Sequence, residues 1–227
     1  TGAQLNPGLT ADAYQKTDGT AFTASTGING VSALAFDGTN DHLVAPTLPS
    51  SISWTAGVTI ASVFIYNTSS SWARICDFGN GAPGDNILFT RAGTTGFHQI
   101  QVFDGANLGP PAAAAAFSNS VANIGVGTIE AGSAISLQTG TYRMNGTAGT
   151  PTSIYVPRAI DRTINYLGRS NWVADTYLNG LIGEFIVCNS RLSSADVERL
   201  EGYLAWKWGT VSSLPSGHPY KNSPPLV

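Results

Sequence analysis

Charge is what this 227-residue chain has least of: Asp, Glu, Lys and Arg together make up 11% of it. The 11 Lys and Arg against 14 Asp and Glu leave a formal net charge of -3. Phosphate binding needs clustered Lys and Arg, so nucleic acid is excluded as a main partner. Long apolar runs are missing too, and none approaches the ~20 residues of a membrane-spanning helix. The polar opening "TGAQLNPG" does not read as a secretory leader. Cysteine is limited to Cys76 and Cys188, too few for a disulfide framework and at a spacing that fits no zinc motif. Each lies in an apolar, strand-like run, "ARICDF" or "EFIVCN", where a buried reduced thiol acts as a small hydrophobe. A single bridge between distant strands is the alternative. No helical segments alternate with the strand-like runs, which argues against a βαβ fold.

What is present is a succession of short apolar runs cut by turn residues. Hydrophobic residues reach 42%, enough for a sizeable core. "SALAFDG", "HLVAP", "GVTIASVFIYN", "ARICDFGNG", "NILFTRAG", "FHQIQVFDG", "ANIGVGTIEAG", "AISLQTGTYRMNG", "TINYLGRS" and "GLIGEFIVCN" each read as a strand. Ten or so strands at this even spacing predict an all-β fold, a sandwich or jelly roll of antiparallel sheets, spanning the chain as one domain. "GVTIASVFIYN" is nearly continuous and β-branched, as a strand buried on both faces would be. "LGPPAAAAAFS", residues 108–118, reads as a surface loop or an edge segment, because its prolines hold it extended.

One stretch, "LSSADVERLEGYLAWKWG" at 192–209, has helical spacing. Ser193 and Asp196 resemble a capping box. Val197, Leu200, Leu204 and Trp208 form one apolar stripe, with Glu198 and Glu201 facing elsewhere. Lys207 suits the negative end of the helix dipole, and Gly209 is the natural stop. Trp206 and Trp208 are assigned to packing. The tail, 210–227, has several prolines and no period; it should run extended over the surface, pinned by Leu214 and Tyr220.

Several of these pieces occur in a recognisable order. "ALAFDGTNDHLVAP", "YRMNG" and "NYLGRSN", then "LNGLIGEFIVCNSRLSSADVERLEGYLAWKWG", resemble laminin G-like domains of the concanavalin A-like lectin/glucanase superfamily. The ending "GYLAWKWG…LPSGHPYK" is similar to the C-terminal extension of such domains in bacterial and bacteriophage proteins. The resemblance runs from about residue 30 to the end, leaving the N-terminal segment 1–30 and residues 105–135 uncovered. It implies a jelly-roll sandwich with one short C-terminal helix and a tail. It also places a hairpin turn at Asn145-Gly146 and close strand packing at Gly168 and Gly183.

The chemistry-bearing residues point away from catalysis. Glucanases of this superfamily carry acids alternating on one strand, where a retaining pair sits ~5 Å apart. Glu184 stands alone in its strand, Glu198 and Glu201 belong to the helix, and His42, His98 and His218 are scattered. Pentraxins of the same fold bind calcium through Asp-Asn on one strand and acids after a Leu-Gly. Asp85 and Asn86 match the first part, but Arg169, Ser170 and Asn171 follow Leu167-Gly168 where carboxylates are needed. Asp37 and Asp41 are the other calcium candidates, although "DGTND" is equally a plain turn. No metal or other cofactor is therefore expected.

Sugar recognition asks for a ring to stack on and polar groups to fix hydroxyls. "SSSWARICDFGNG" supplies Trp72, Asp77 and Asn80; "GRSNWVADTY" supplies Arg169, Asn171, Trp172 and Asp175. Whether either Trp is core or ligand platform stays open at this level. Two functions follow. One is a non-catalytic bacteriophage virion component, a capsid decoration or fibre protein whose partners are other virion proteins or copies of itself, with surface glycans as further ligands. The alternative is a carbohydrate-binding, lectin-like module of a bacterial cell-surface or secreted protein.

Overall fold

The computed structural model describes residues 27–105, 112–113 and 116–226. Segment 1–26 and parts of "LGPPAAAAAFS" lie outside the described residues. In chain order the strands are β1 (Leu34–Asp37), β2 (Leu43–Ala45), β3 (Val58–Tyr66), β4 (Arg74–Gly79), β5 (Ile87–Arg91), β6 (His98–Val102) and β7 (Ala112–Ala113). They continue with β8 (Asn123–Ile129), β9 (Leu137–Met144), β10 (Thr147–Ala148), β11 (Thr152–Tyr155), β12 (Ile164–Leu167) and β13 (Asn179–Cys188). One helix follows, α1 (Ser194–Lys207), then a 3₁₀ turn at Val211–Ser213. The larger antiparallel sheet runs β1-β13-β3-β8-β9-β10, with β11 also paired to β9; the smaller runs β2-β12-β4-β5-β6-β7. All ten runs read as strands are strands. β10 and β11 were missed because they are short and polar, and β7 is an edge of the smaller sheet.

Strand alternation divides the interior in two. From β3, Val58, Ile60, Phe64 and Tyr66 enter the core between the sheets, with Phe78, Phe89, Ile100 and Tyr142. Ala61 and Val63 face the other way and join Ile124 and Val126 beneath Val197, Leu204, Ala205 and Trp208 of the helix. That is why β3 reads as a continuous apolar run: α1 covers the outer face of the larger sheet.

Local signals place the helix. The Ser193 hydroxyl accepts from the Asp196 N–H at 3.2 Å. Asp196 answers the hydroxyl (2.6 Å) rather than the Ser193 backbone, so half of the capping box forms. At the far end Gly209 has φ +63, the left-handed stop. One expectation is corrected. Glu201 does not face solvent: its side chain is fully buried and its carboxylate takes Arg143 Nε at 2.8 Å and Nη2 at 2.9 Å. Glu201 is i+4 from Val197, beside the stripe, and β9 supplies the cation beneath it. His218 adds a contact at 3.2 Å.

The tail is corrected as well. Leu214 is buried as expected, but the chain turns rather than running extended. Lys221 Nζ donates to the carbonyls of Val211, Ser212 and Leu214, folding the tail back on the 3₁₀ turn. Buried His218 is the deeper anchor. The Trp206 indole N–H reaches the Tyr220 carbonyl at 2.9 Å. Both cysteines are free.

Gly183 marks a bulge in β13, where pairing to β3 slips between Ile182 and Glu184. The role is not close strand packing alone, because a Cβ there would lie 2.8 Å from the Trp208 ring. The next residue, Glu184, accepts from the Trp208 indole (2.9 Å) and the Tyr203 hydroxyl (3.1 Å) and pairs with Lys207 (2.9 Å). The lone acid of β13 thus clamps the helix.

Candidate functional site

The outer face of the smaller sheet is the other surface to account for. Register puts Val44, Tyr166, Asp77, Leu88 and Gln101 in one row across β2, β12, β4, β5 and β6. Their neighbours Leu43, Leu167, Cys76 and Phe89 point into the core, so this row points out of it. Arg74, Thr90 and Gln99 form a second row. Two loops rise beside these rows, one before β4 carrying Trp72 and one between β12 and β13 carrying residues 169–177. Thr176 ties them, its N–H and hydroxyl both donating to the Ser71 carbonyl at 3.2 and 2.8 Å. Gly168 starts the second loop with φ +79, where a Cβ would strike the Phe36 ring.

Arg74 is the centre of this arrangement. Its guanidinium carbon lies 5.7 Å from the Trp72 ring and 5.5 Å from the Trp172 ring. Nη2 pairs with Asp175 at 2.8 Å, and Nε faces Asp77 at 3.6 Å. The Ser170 hydroxyl donates to Asp175 at 2.8 Å. Asp77 is fully buried and accepts from the Asn171 N–H (2.9 Å), the Asn171 amide (2.8 Å) and the Asn86 amide (2.7 Å). Burial pushes its carboxyl above the usual range, against the pull of Arg74 and of the Asn171 and Asn86 hydrogen bonds. Two buried polar atoms here lack a protein partner within hydrogen-bond reach, Arg74 Nε and Asn86 Oδ1.

The rings around this centre are accessible. Trp72 is 36% exposed, Trp172 is half-buried against Phe103 (ring centroids 5.0 Å), and Val173 at the loop tip is fully exposed. Trp72 has φ +53, a left-handed conformation that costs a bulky residue roughly 1–3 kcal/mol. Strain of that kind marks a residue held in place by its surroundings.

Of the seven residues read from the sequence, five come together: Trp72, Asp77, Asn171, Trp172 and Asp175. Asp77 is a correction in role, because a sealed carboxylate braces the second loop and does not meet a ligand. Asn80 is elsewhere, bound to Thr163 N (2.9 Å) and the Asp161 carbonyl (2.7 Å). Arg169 sits in a neighbouring aromatic group with Tyr166, Tyr177 and His42. Arg74, Ser170, Tyr166 and Tyr177 were missed. Arg74 left a signal: an arginine alternating with apolar residues inside a strand needs buried partners.

The calcium candidates have other uses. Asp37 takes the Thr39 and Asn40 N–H groups, and the Thr39 bond leads in holding its carboxyl below the usual range. Asp41 accepts from the Asp37 N–H. Asp85 pairs with Arg158 at 3.4 Å, and Asn86 serves Asp77. Among the described residues no three His, Cys, Asp or Glu side chains gather, and no described helix is long and apolar enough to cross a membrane.

Comparison with known proteins adds the fold. No protein-family model matches the sequence, and no curated protein matches it. Solved structures do match. Domain 4 of AbnA, a GH43 extracellular arabinanase from Geobacillus stearothermophilus in complex with arabinotriose, superposes with a TM-score of 0.60 at 16% identity. That match covers 79% of this chain and 80% of that domain. Mouse laminin alpha1 domains LG4-5 give 0.52 at 16% identity, over 78% of this chain and 46% of that one. The K499G NanB sialidase of Streptococcus pneumoniae gives 0.53 at 18% identity, over 72% of this chain. This chain spans about a quarter of that sialidase's length, 26% of it being covered. The described residues form a concanavalin A-like sandwich resembling laminin G domains.

Proposed function

We propose that this domain is a non-catalytic glycan-binding module, presented outside the cell or at its surface, and that it binds through the Trp72–Arg74–Trp172 face. The observation that carries the reading is the pair of accessible indoles flanking one guanidinium, on two loops tied together. Exposed rings among polar groups are the elements of sugar recognition; Arg74 is buried and fixes the two rings rather than meeting the ligand. The likeness to a domain solved with arabinotriose supports the same reading, and favours it over the virion role, whose motives are the low charge, the polar opening and the terminal stretch. Non-catalysis rests on the state of the acids. Asp77 is sealed, Asp175 is bound by Arg74 and Ser170, and Glu184 is bound under the helix.

Calorimetric titration with arabino-oligosaccharides and a panel of cell-wall polysaccharides tests this. Trp72→Ala and Trp172→Ala should each weaken binding about tenfold, the equivalent of ~1.4 kcal/mol, with an unchanged circular dichroism spectrum. Binding that ignores both substitutions, or release of reducing ends by the pure protein, contradicts the proposal.

A further inference from the structure

Among the described residues, the arginine beside that face has no acid to answer it. Among the described residues every other Arg and Lys faces a carboxylate or donates to a backbone carbonyl. The side-chain hydrogen bond of Arg169 goes instead to an imidazole, Nη1 lying 3.3 Å from His42 Nε2. His42 Nδ1 is 2.8 Å from the Asn40 carbonyl, so its proton sits on Nδ1 and Nε2 accepts. The guanidinium lies over two tyrosines, 4.6 Å from the Tyr166 ring and 5.6 Å from Tyr177, and stays half-exposed. It is held in one orientation by aromatic faces and an imidazole nitrogen, and no described carboxylate lies within ion-pair distance of it.

We propose that Arg169 anchors an anionic group, carboxylate or sulfate, of an acidic glycan lying across this face. The proposal rests on the glycan-binding reading and names the ligand class. Tyr166 pairs directly with Asp77 across β12 and β4, one strand spacing (~4.8 Å) from the acid that Arg74 Nε faces. One sugar chain can therefore meet Arg169 and the accessible Trp72 and Trp172 rings beside that centre. Arg74 is buried and paired with Asp77 and Asp175, so it brings no free charge to the surface. Arg169 supplies the charge, and its planar fork matches two oxygens of a carboxylate or sulfate. Stacking on Tyr166 holds the fork in place before binding, which lowers the ordering cost.

The test measures binding of polygalacturonate, dextran sulfate and neutral linear arabinan to the full chain and to Arg169→Gln, Arg169→Lys and Trp72→Ala. The wild type should favour one acidic polymer over arabinan at least tenfold, and the preference should shrink with added salt. Arg169→Gln should abolish the preference while leaving arabinan binding unchanged, and Arg169→Lys should keep part of it. Tighter binding of polygalacturonate identifies the carboxylate; tighter binding of dextran sulfate identifies the sulfate. Equal affinity for neutral and acidic polymers, or an acidic preference that survives Arg169→Gln, overturns this inference and leaves the glycan reading standing if Trp72→Ala weakens binding. No binding of any glycan overturns both.

Discussion

His98 has both ring nitrogens engaged inside the core, Nδ1 with the Tyr142 hydroxyl at 2.6 Å and Nε2 with the Tyr66 hydroxyl at 3.1 Å. Tyr66 donates its proton to the Ala73 carbonyl, so it accepts from Nε2–H, and Nδ1 accepts from Tyr142. The relay closes with a neutral imidazole. Burial, followed by the Arg91 charge, holds the ring well below the ordinary 6.5. The unfolded chain therefore takes up the proton first as pH falls. This contribution to stability is complete above pH 6.5 and is lost on acidification below it, at up to ~1.4 kcal/mol per pH unit. Urea denaturation between pH 7.5 and 5 should show a steeper loss for the wild type than for His98→Gln; identical slopes would contradict the relay. Glu201 offers a second check. Glu201→Ala leaves Arg143 without its carboxylate and should cost about 3–5 kcal/mol by denaturant midpoint, with Glu201→Leu plus Arg143→Met recovering much of it. Sequence could not give either role in full. His98 meets residues far away in the chain, and only the position of Glu201 at i+4 from Val197 hinted at its burial.

Among the elements, the strands were legible and their irregularities were not. Period-two alternation exposes a strand's two faces, so the long runs from β3 to β13 announced themselves. A bulge adds one residue without changing composition, and "LIGEF" does not say that Gly183 and Glu184 share the helix face. The consequence can be measured. Gly183→Val drives side-chain atoms into the Trp208 ring and should lower stability by about 1–3 kcal/mol through overpacking. Trp208→Ala should cost less in that background than in the wild type, whereas strictly additive effects would mean that the two positions do not touch. The helix start was legible too, since Ser193 before an apolar stripe is a local signal. Ser193→Ala should cost about 1 kcal/mol in thermal melts.

At the scale of the molecule, α1 and the tail close the outer face of the larger sheet, and the two Trp loops lie over Arg74 and Asp77 on the smaller one, where binding is proposed. The two Trp loops were visible in the sequence as polar segments with a large ring in each. Their convergence on Arg74 was not, because Trp72 and Trp172 are brought together by register between β4 and β12. The indole N–H resonances of the five tryptophans report on this division directly. Titrated with the tightest-binding glycan of the panel, the Trp72 and Trp172 signals should shift together to saturation, while those of Trp54, Trp206 and Trp208 stay in place. Shifts confined to Trp206 and Trp208, or saturable binding that moves neither Trp72 nor Trp172, would contradict the account.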